Sequence, residues 1–238
     1  MDIHLPKPFH NWREFLKEYG IIVLGVLTAL GLEQAIESWH EREQTVETRH
    51  AIEAEIRQGI ATANILAETQ TCRRQQLKAL AIAVGKGSRE GVQRLLAQSR
   101  ALPSIRFSDA AWTTALATGV ANRLDREERS RYVATSAIAH NFPEFVSSYY
   151  RAQSRLDWLT QGGLGSAPAA SGDAVAQLAE MASIISNMEG SSAAFLQFAE
   201  QGLGLKATQA DYAALSASEN LRECQAAAKA MMGEAGGG

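Results

Sequence analysis

Proline is scarce in this 238-residue chain, with five in all and none between Glu33 and Val84. A stretch that long without the residue that removes a backbone donor is free to run as helix. Any convincing alternation of apolar and polar residues is missing too, so strands are not expected and the chain reads as all-α. Cysteine occurs only twice, at Cys72 and Cys224. Two are too few for a disulfide framework, yet enough for one bridge if the body of the chain lies in an oxidising compartment. A basic excess is also lacking: 23 Lys and Arg stand against 26 Asp and Glu, a net charge of −3. Nucleic acid is therefore not an expected partner.

The motifs of common catalytic sites are absent. The chain has no His-Glu-x-x-His, no Gly-x-Ser-x-Gly and no Cys-x-x-Cys. Glu37-Ser-Trp-His40 and Glu47-Thr-Arg-His50 share the Glu-x-x-His spacing that di-iron bundles place on two helices. Here both fall on one helix about 15 Å apart, so one monomer does not close a site from them. Gly85-Lys-Gly-Ser88 follows a helix and reads as a helix stop rather than a phosphate loop, and Gly163-Leu-Gly165 lacks a third glycine and a strand. No cofactor, metal ligand or catalytic residue is assigned, and the protein is not expected to be an enzyme.

What stands out is Tyr19–Leu32, 14 residues without a charge between Glu18 and Glu33. At about 21 Å this core is shorter than the ~30 Å hydrocarbon layer. Aromatic residues extend it: Trp12, Phe15 and Tyr19 precede the run and Trp39 follows it. Tyr19 and Trp39 lie about 30 Å apart on a helix, so their rings match the two interfaces of a bilayer. A membrane-spanning helix over 15–39 is the reading adopted. A signal peptide cleaved near Ala29-Leu-Gly31 and a buried core helix are the alternatives; three acidic residues among the first 18 are not a basic leader region. Gly25 with Ala29, and Gly31 with Ala35, are small-xxx-small pairs. Gly25, Ala29, Leu32 and Ile36 share one helical face, which predicts self-association through the span.

Further along, Ile52, Ile56, Ile60, Ala63, Leu66, Leu77, Leu80 and Val84 recur at helical steps. One helix from Trp12 to Val84 would be about 110 Å long, with a break allowed at Gly59 or Thr69–Thr71. Residues 33–57, with seven glutamates and three arginines, read as a solvated face. A tail carrying Pro6 and Pro8 precedes the first helix, which Asn11 and Glu14 would cap. Shorter helices are expected at Arg89–Arg100, ended by Pro103, then from Ser108 or Asp109 through Trp112, Leu116 and Val120. Next come Arg126–Asn141, capped by Asp125 and carrying Tyr132, Val133 and Ile138, and a helix opened by Pro143. That last one carries Phe145, Val146, Tyr149, Leu156, Trp158 and Leu159. Gly162–Gly172 reads as a loop between antiparallel helices. Asp173 opens a helix with Val175, Leu178, Ile184, Ile185, Met188, Phe195 and Phe198, stopped by Gly202-Leu-Gly204. Thr208 caps a final pair carrying Tyr212, Leu215, Leu221 and Cys224. If both thiols meet an oxidising compartment, Cys72 and Cys224 are expected to pair.

The passage Trp12-Arg-Glu-Phe-Leu-Lys-Glu-Tyr-Gly-Ile-Ile-Val-Leu-Gly-Val-Leu-Thr-Ala-Leu-Gly-Leu-Glu-Gln34 resembles the start of a group of uncharacterised bacterial single-pass membrane proteins with an Ile-Ile-Val-Leu-Gly-Val-Leu-type anchor. Ala111-Trp-Thr-Thr-Ala115, followed by Gly119, is similar to a passage in their soluble part. The resemblance implies an inner-membrane protein with its bulk in the periplasm; it transfers no activity and no functional residue. Charge alone does not orient the span, because three basic residues precede it and Arg42, Arg49 and Arg57 follow. The expected organisation is a cytoplasmic tail and interfacial helix start over 1–14, the transmembrane helix over 15–39, a long helix stalk of coiled-coil type over 40–85, and a helical-bundle domain over 86–238. The expected function is that of a non-catalytic scaffold or accessory subunit, whose partners are the bilayer and other membrane subunits or a second copy. A periplasmic sensor or ligand-binding module working through a partner is the alternative, and an unrecognised enzyme the second.

Overall fold

The computed structural model describes residues 12–98, 107–162, 168–213, 215 and 217–236. Every regular element among them is helical. Helix α1 spans Trp12–Gly85, α2 Arg89–Gln98, α3 Ala110–Ala117, α4 Arg126–Gly162, α5 Pro168–Leu196, α6 Gln209–Ala213 and α7 Ala217–Gly236. A 3-10 turn at Val120–Arg123 precedes α4, and a π-helical turn at Gln197–Gly202 extends α5. The tail with Pro6 and Pro8, the cap at Asn11 with the Glu14 side chain, Pro103, and the glycines at 163 and 165 lie outside the described residues or side chains.

The chain divides into two compact units, residues 1–47 and 48–238. The expected stalk over 40–85 is therefore split, because from residue 48 onward α1 belongs to the second unit. Ile52, Ile56, Ile60, Leu66, Leu80 and Val84 are all buried there, one stripe at three- and four-residue steps. Against this stripe pack Val92 and Leu95 of α2, Trp112 of α3, Tyr132 and Phe142 of α4, and Met181 and Phe195 of α5. Helices α4 and α5 pack closely on each other, and their short connection makes them antiparallel neighbours.

No break occurs in α1 at Gly59 or at Thr69–Thr71. Gly59 instead makes room for a ring. A Cβ there would stand 2.5 Å from Cζ and 2.8 Å from Cε1 of Phe195. Phe195 meets Phe107 edge-on, with centroids 5.0 Å apart, and Phe107 stacks on Phe142 at 3.6 Å. The stop at the end of α1 is formed by Gly87, which takes the left-handed φ of 68° that glycine adopts without strain. Gly85 is the last helical residue, and Ser88 Oγ accepts from Gly91 N at 3.1 Å as the cap of α2.

Pro143 does not open a new helix. It lies inside α4, which runs unbroken from Arg126 to Gly162. An internal proline costs about 3 kcal/mol through a lost hydrogen bond and a ring clash. Phe142, fully buried between Phe107 and Phe145, holds the helix across that point, since a break would withdraw its ring from the core. Helix α5 begins at Pro168 rather than Asp173, with proline at the first helical position, so the connection is shorter than Gly162–Gly172. Several apolar residues of these helices lie on the outside: Leu116, Val133, Trp158, Val175 and Phe198 are exposed.

Neither Ser108 nor Asp109 caps α3 alone. Glu55 of α1 accepts from Ala111 N at 2.9 Å and from the Ser108 hydroxyl at 2.9 Å, while Ser108 Oγ accepts from Ala110 N. The carboxylate thereby ties α3 to α1 at the positive end of the helix dipole. Asp109 points instead to His140 Nδ1 at 3.0 Å. Thr208 and Asp211 cap α6 reciprocally, with Thr208 N donating to Asp211 Oδ2 at 2.7 Å.

Asp125 caps α4 as its sequence position predicts, accepting from Glu127 N at 2.9 Å and Glu128 N at 3.4 Å. These backbone donors hold its carboxyl below the usual value of 3.8. A depressed folded pKa contributes stability that is complete above the unfolded value and lost as pH falls through the folded one. An Asp125→Asn variant is therefore expected to show a flatter melting profile than the parent below about pH 4. Parallel profiles would show that the ionised cap contributes nothing.

Candidate functional site: an uncovered apolar helix and a buried disulfide

Two features of the chain bear on function, and each is described within its own unit. In the first, α1 carries its apolar run entirely on the outside. Ile21 is 71% exposed, Leu24 67% and Leu27 61%, and none of the described residues of that unit is buried. This is the one helix among the described residues long and apolar enough to cross a membrane. The hydroxyl in the middle of the run, Thr28 Oγ1, donates to Leu24 O at 2.7 Å, which satisfies it without water. Trp12 stacks on Phe15 and Phe15 on Tyr19, at centroid distances of 5.6 and 6.0 Å. Trp12, Tyr19 and Trp39 are all exposed, so the rings at both ends of the run face outward. Gly25, Ala29, Gly31 and Ala35 are exposed as well, and a Cβ at Gly25 or Gly31 would meet nothing within 4 Å.

Within the second unit, Cys72 of α1 and Cys224 of α7 form a disulfide, with Cα atoms 5.9 Å apart. Both are buried, with Ala228 beside them. Gln76 Nε2 donates to Cys224 O at 3.3 Å, a second tie between the same two helices. Next to Cys72 the chain buries Arg73, whose Nε donates to Thr69 Oγ1 at 3.2 Å; burial pushes its guanidinium below its usual value. Apolar periodicity in the sequence did not single out Arg73 or Gln76, because they are polar residues buried in line with the stripe between Leu66 and Leu80.

A third feature escaped sequence reasoning. Arg49 of α1 grips Glu128 of α4 with two hydrogen bonds, Nε to Oε1 at 2.6 Å and Nη2 to Oε2 at 3.0 Å, and the Tyr132 hydroxyl donates to the same Oε1 at 3.0 Å. Donating to Glu128 raises the Arg49 guanidinium, while burial, reinforced by Glu128, pushes the Tyr132 phenol well above its usual value. Such a fork fixes register between helices more than it adds stability, since Arg49 is partly exposed. A cavity of 230 Å³ adjoins it, lined by Glu53, Asp125, Arg131 and Leu203 among others. A larger groove of 490 Å³ opens between α2 and α4 at Gln93, Leu96, Tyr150, Gln153 and Asp157. His40 lies 3.9 Å from Glu43 rather than beside Glu37, and no group of three or more His, Cys, Asp or Glu is placed to hold a metal among the described residues. No protein-family model, curated protein or solved structure matches the chain.

Proposed function

We propose that the protein is a bacterial inner-membrane scaffold or accessory subunit, anchored once through residues 15–39 with its helical body in the periplasm. The single observation that carries this reading is the uncovered run of α1. Leaving Ile21, Leu24 and Leu27 in water forfeits about 1.5–3 kcal/mol for each large side chain, and a bilayer removes that loss. The aromatic rings outside the run suit the interfaces of the same bilayer. The disulfide supports the periplasmic side, because such bonds persist in oxidising compartments. The groove at Tyr150 supports a second reading, a periplasmic ligand-binding module acting through a partner.

A reporter active only in the periplasm, fused after Gly238, is expected to be active, and the chain is expected to stay with membranes through a carbonate wash. Release of a mature chain beginning near Leu32 would establish a signal peptide in place of the anchor. Isolation in mild detergent is expected to bring down other membrane subunits in fixed proportion. Recovery of the chain alone, with a small molecule in the α2–α4 groove, would favour the ligand-binding module.

A further inference from the structure

We infer that the protein is a parallel homodimer, paired along a seam of α1 that starts in the span and continues past it to Val46. Positions 22, 25, 29, 32, 36, 39, 43 and 46 alternate by three and four residues, and all but Glu43 are apolar or glycine. This is the seven-residue repeat of a left-handed coiled coil, whose 3.5-residue period keeps one stripe facing a second helix. Lipid exerts no such register on a helix. Val46 lies about 10 Å beyond Trp39 along the axis, past the interface marked by that ring, and is 45% exposed. A bilayer does not cover it.

Charge identifies the occupant as a second copy in parallel. With 36 and 43 at a, and 39 and 46 at d, Arg42 falls at g and Glu47 at the following e. Parallel in-register helices pair a g residue with the e residue five positions on in the partner. Arg42 and Glu47 would then pair twice, once on each side of the symmetric seam. Within one helix they face away from each other, being five residues apart. The positions three and four away from Arg42 hold Trp39, Ser38, Thr45 and Val46, so its own helix offers it no acid. Both side chains are exposed. In the same packing, Glu43 at a enters a hole bordered by the partner's g position, so the opposing arginine also offsets the one charge in the seam. Gly25 and Ala29 are compatible with close approach lower down, although the argument stands on the apolar and charged positions.

The inference rests on the membrane reading only for the part of the seam below Trp39. The test uses the full chain in its native membrane. The Cys72–Cys224 bridge leaves no free thiol among the natural residues, so one introduced cysteine reports alone. Under mild oxidation Val46→Cys, at d, is expected to cross-link to a dimer about tenfold more than Ser38→Cys, at the outward c position. Arg42→Glu in the Val46→Cys background is expected to reduce the cross-link about tenfold, and adding Glu47→Arg to restore it. Equal cross-linking at 38 and 46, no cross-link at either, or no rescue by the exchanged pair would overturn the parallel seam. A carbonate wash of the same samples separates the two readings. A released chain would sink the anchor, while the Val46 cross-link measured in solution would still decide the seam.

Discussion

Gly59→Ala is expected to destabilise the natural chain by about 1–3 kcal/mol, yet to stabilise a Phe195→Ala variant by about 1 kcal/mol. In an exposed helix, alanine is better than glycine by about that last amount, because glycine loses more backbone freedom on folding. At position 59 that gain is outweighed, since the new methyl would stand 2.5 Å from Phe195 Cζ. The ring has nowhere to go: Phe195 is 1% exposed and meets Phe107 edge-on, and Phe107 is itself stacked on Phe142. Removing the ring costs about 3–5 kcal/mol by itself, through lost burial and the cavity left behind. It also frees the space the methyl needs. The four proteins form a cycle that chemical unfolding in detergent can close. A loss of similar size in both backgrounds would show that the ring is not what excludes a side chain at 59.

The Cys72→Ala/Cys224→Ala double variant is expected to lose about 2–4 kcal/mol relative to the oxidised parent. The bridge closes a loop with a sequence separation of 152. Constraining an unfolded chain over that span is worth ~5 kcal/mol in the chain-entropy model, an upper figure that other effects reduce. Local consequences should exceed the global one. Among the described side chains of α7, those buried besides Cys224 are Ala228 and Met231, so the bridge is the one covalent hold on this helix. Limited proteolysis is expected to cut the double variant first within Ala217–Gly236, at protease levels that leave α4 and α5 intact. An unchanged denaturation midpoint together with an unchanged cleavage pattern would show that α7 is held by packing alone.

These expectations draw on features of differing legibility. The all-α class, the buried stripe of α1 from Ile52 to Val84 and the caps at Ser88, Asp125 and Thr208 follow from spacing and cap chemistry, which are local properties. Outward-facing residues were harder. Leu116, Val133, Trp158, Val175 and Phe198 all recur with helical period, but periodicity assigns a face only when the neighbouring helix is known. Pro143 carries a strong local signal for a helix start, and it was overridden by the packing of Phe142 against Phe107, a contact 35 residues apart in sequence. Glu55 is a similar case. It reads as one more glutamate on a solvated face, and its role at the start of α3 depends on where a distant loop returns. Gly59 looked like a weak point because a glycine within a helix usually is one, whereas here the missing Cβ is what a ring from α5 needs. Of the two features bearing on function, the apolar run was legible because a membrane requires nothing but length and composition. The pairing of Cys72 with Cys224 was legible only through its dependence on compartment, and the Arg49–Glu128–Tyr132 fork not at all, since it joins two helices through groups that sequence leaves solvated.

The most direct test of a membrane-anchored body folded in an oxidising compartment is the thiol state of the chain in washed membranes. Cells are treated with a membrane-permeant alkylating reagent before lysis, the membranes are extracted with carbonate, and the intact chain is weighed with and without reduction. The account predicts a carbonate-resistant chain that takes up no alkyl group until it is reduced, and then two, at Cys72 and Cys224. A chain found in the soluble fraction, or one already carrying two alkyl groups before reduction, would contradict it.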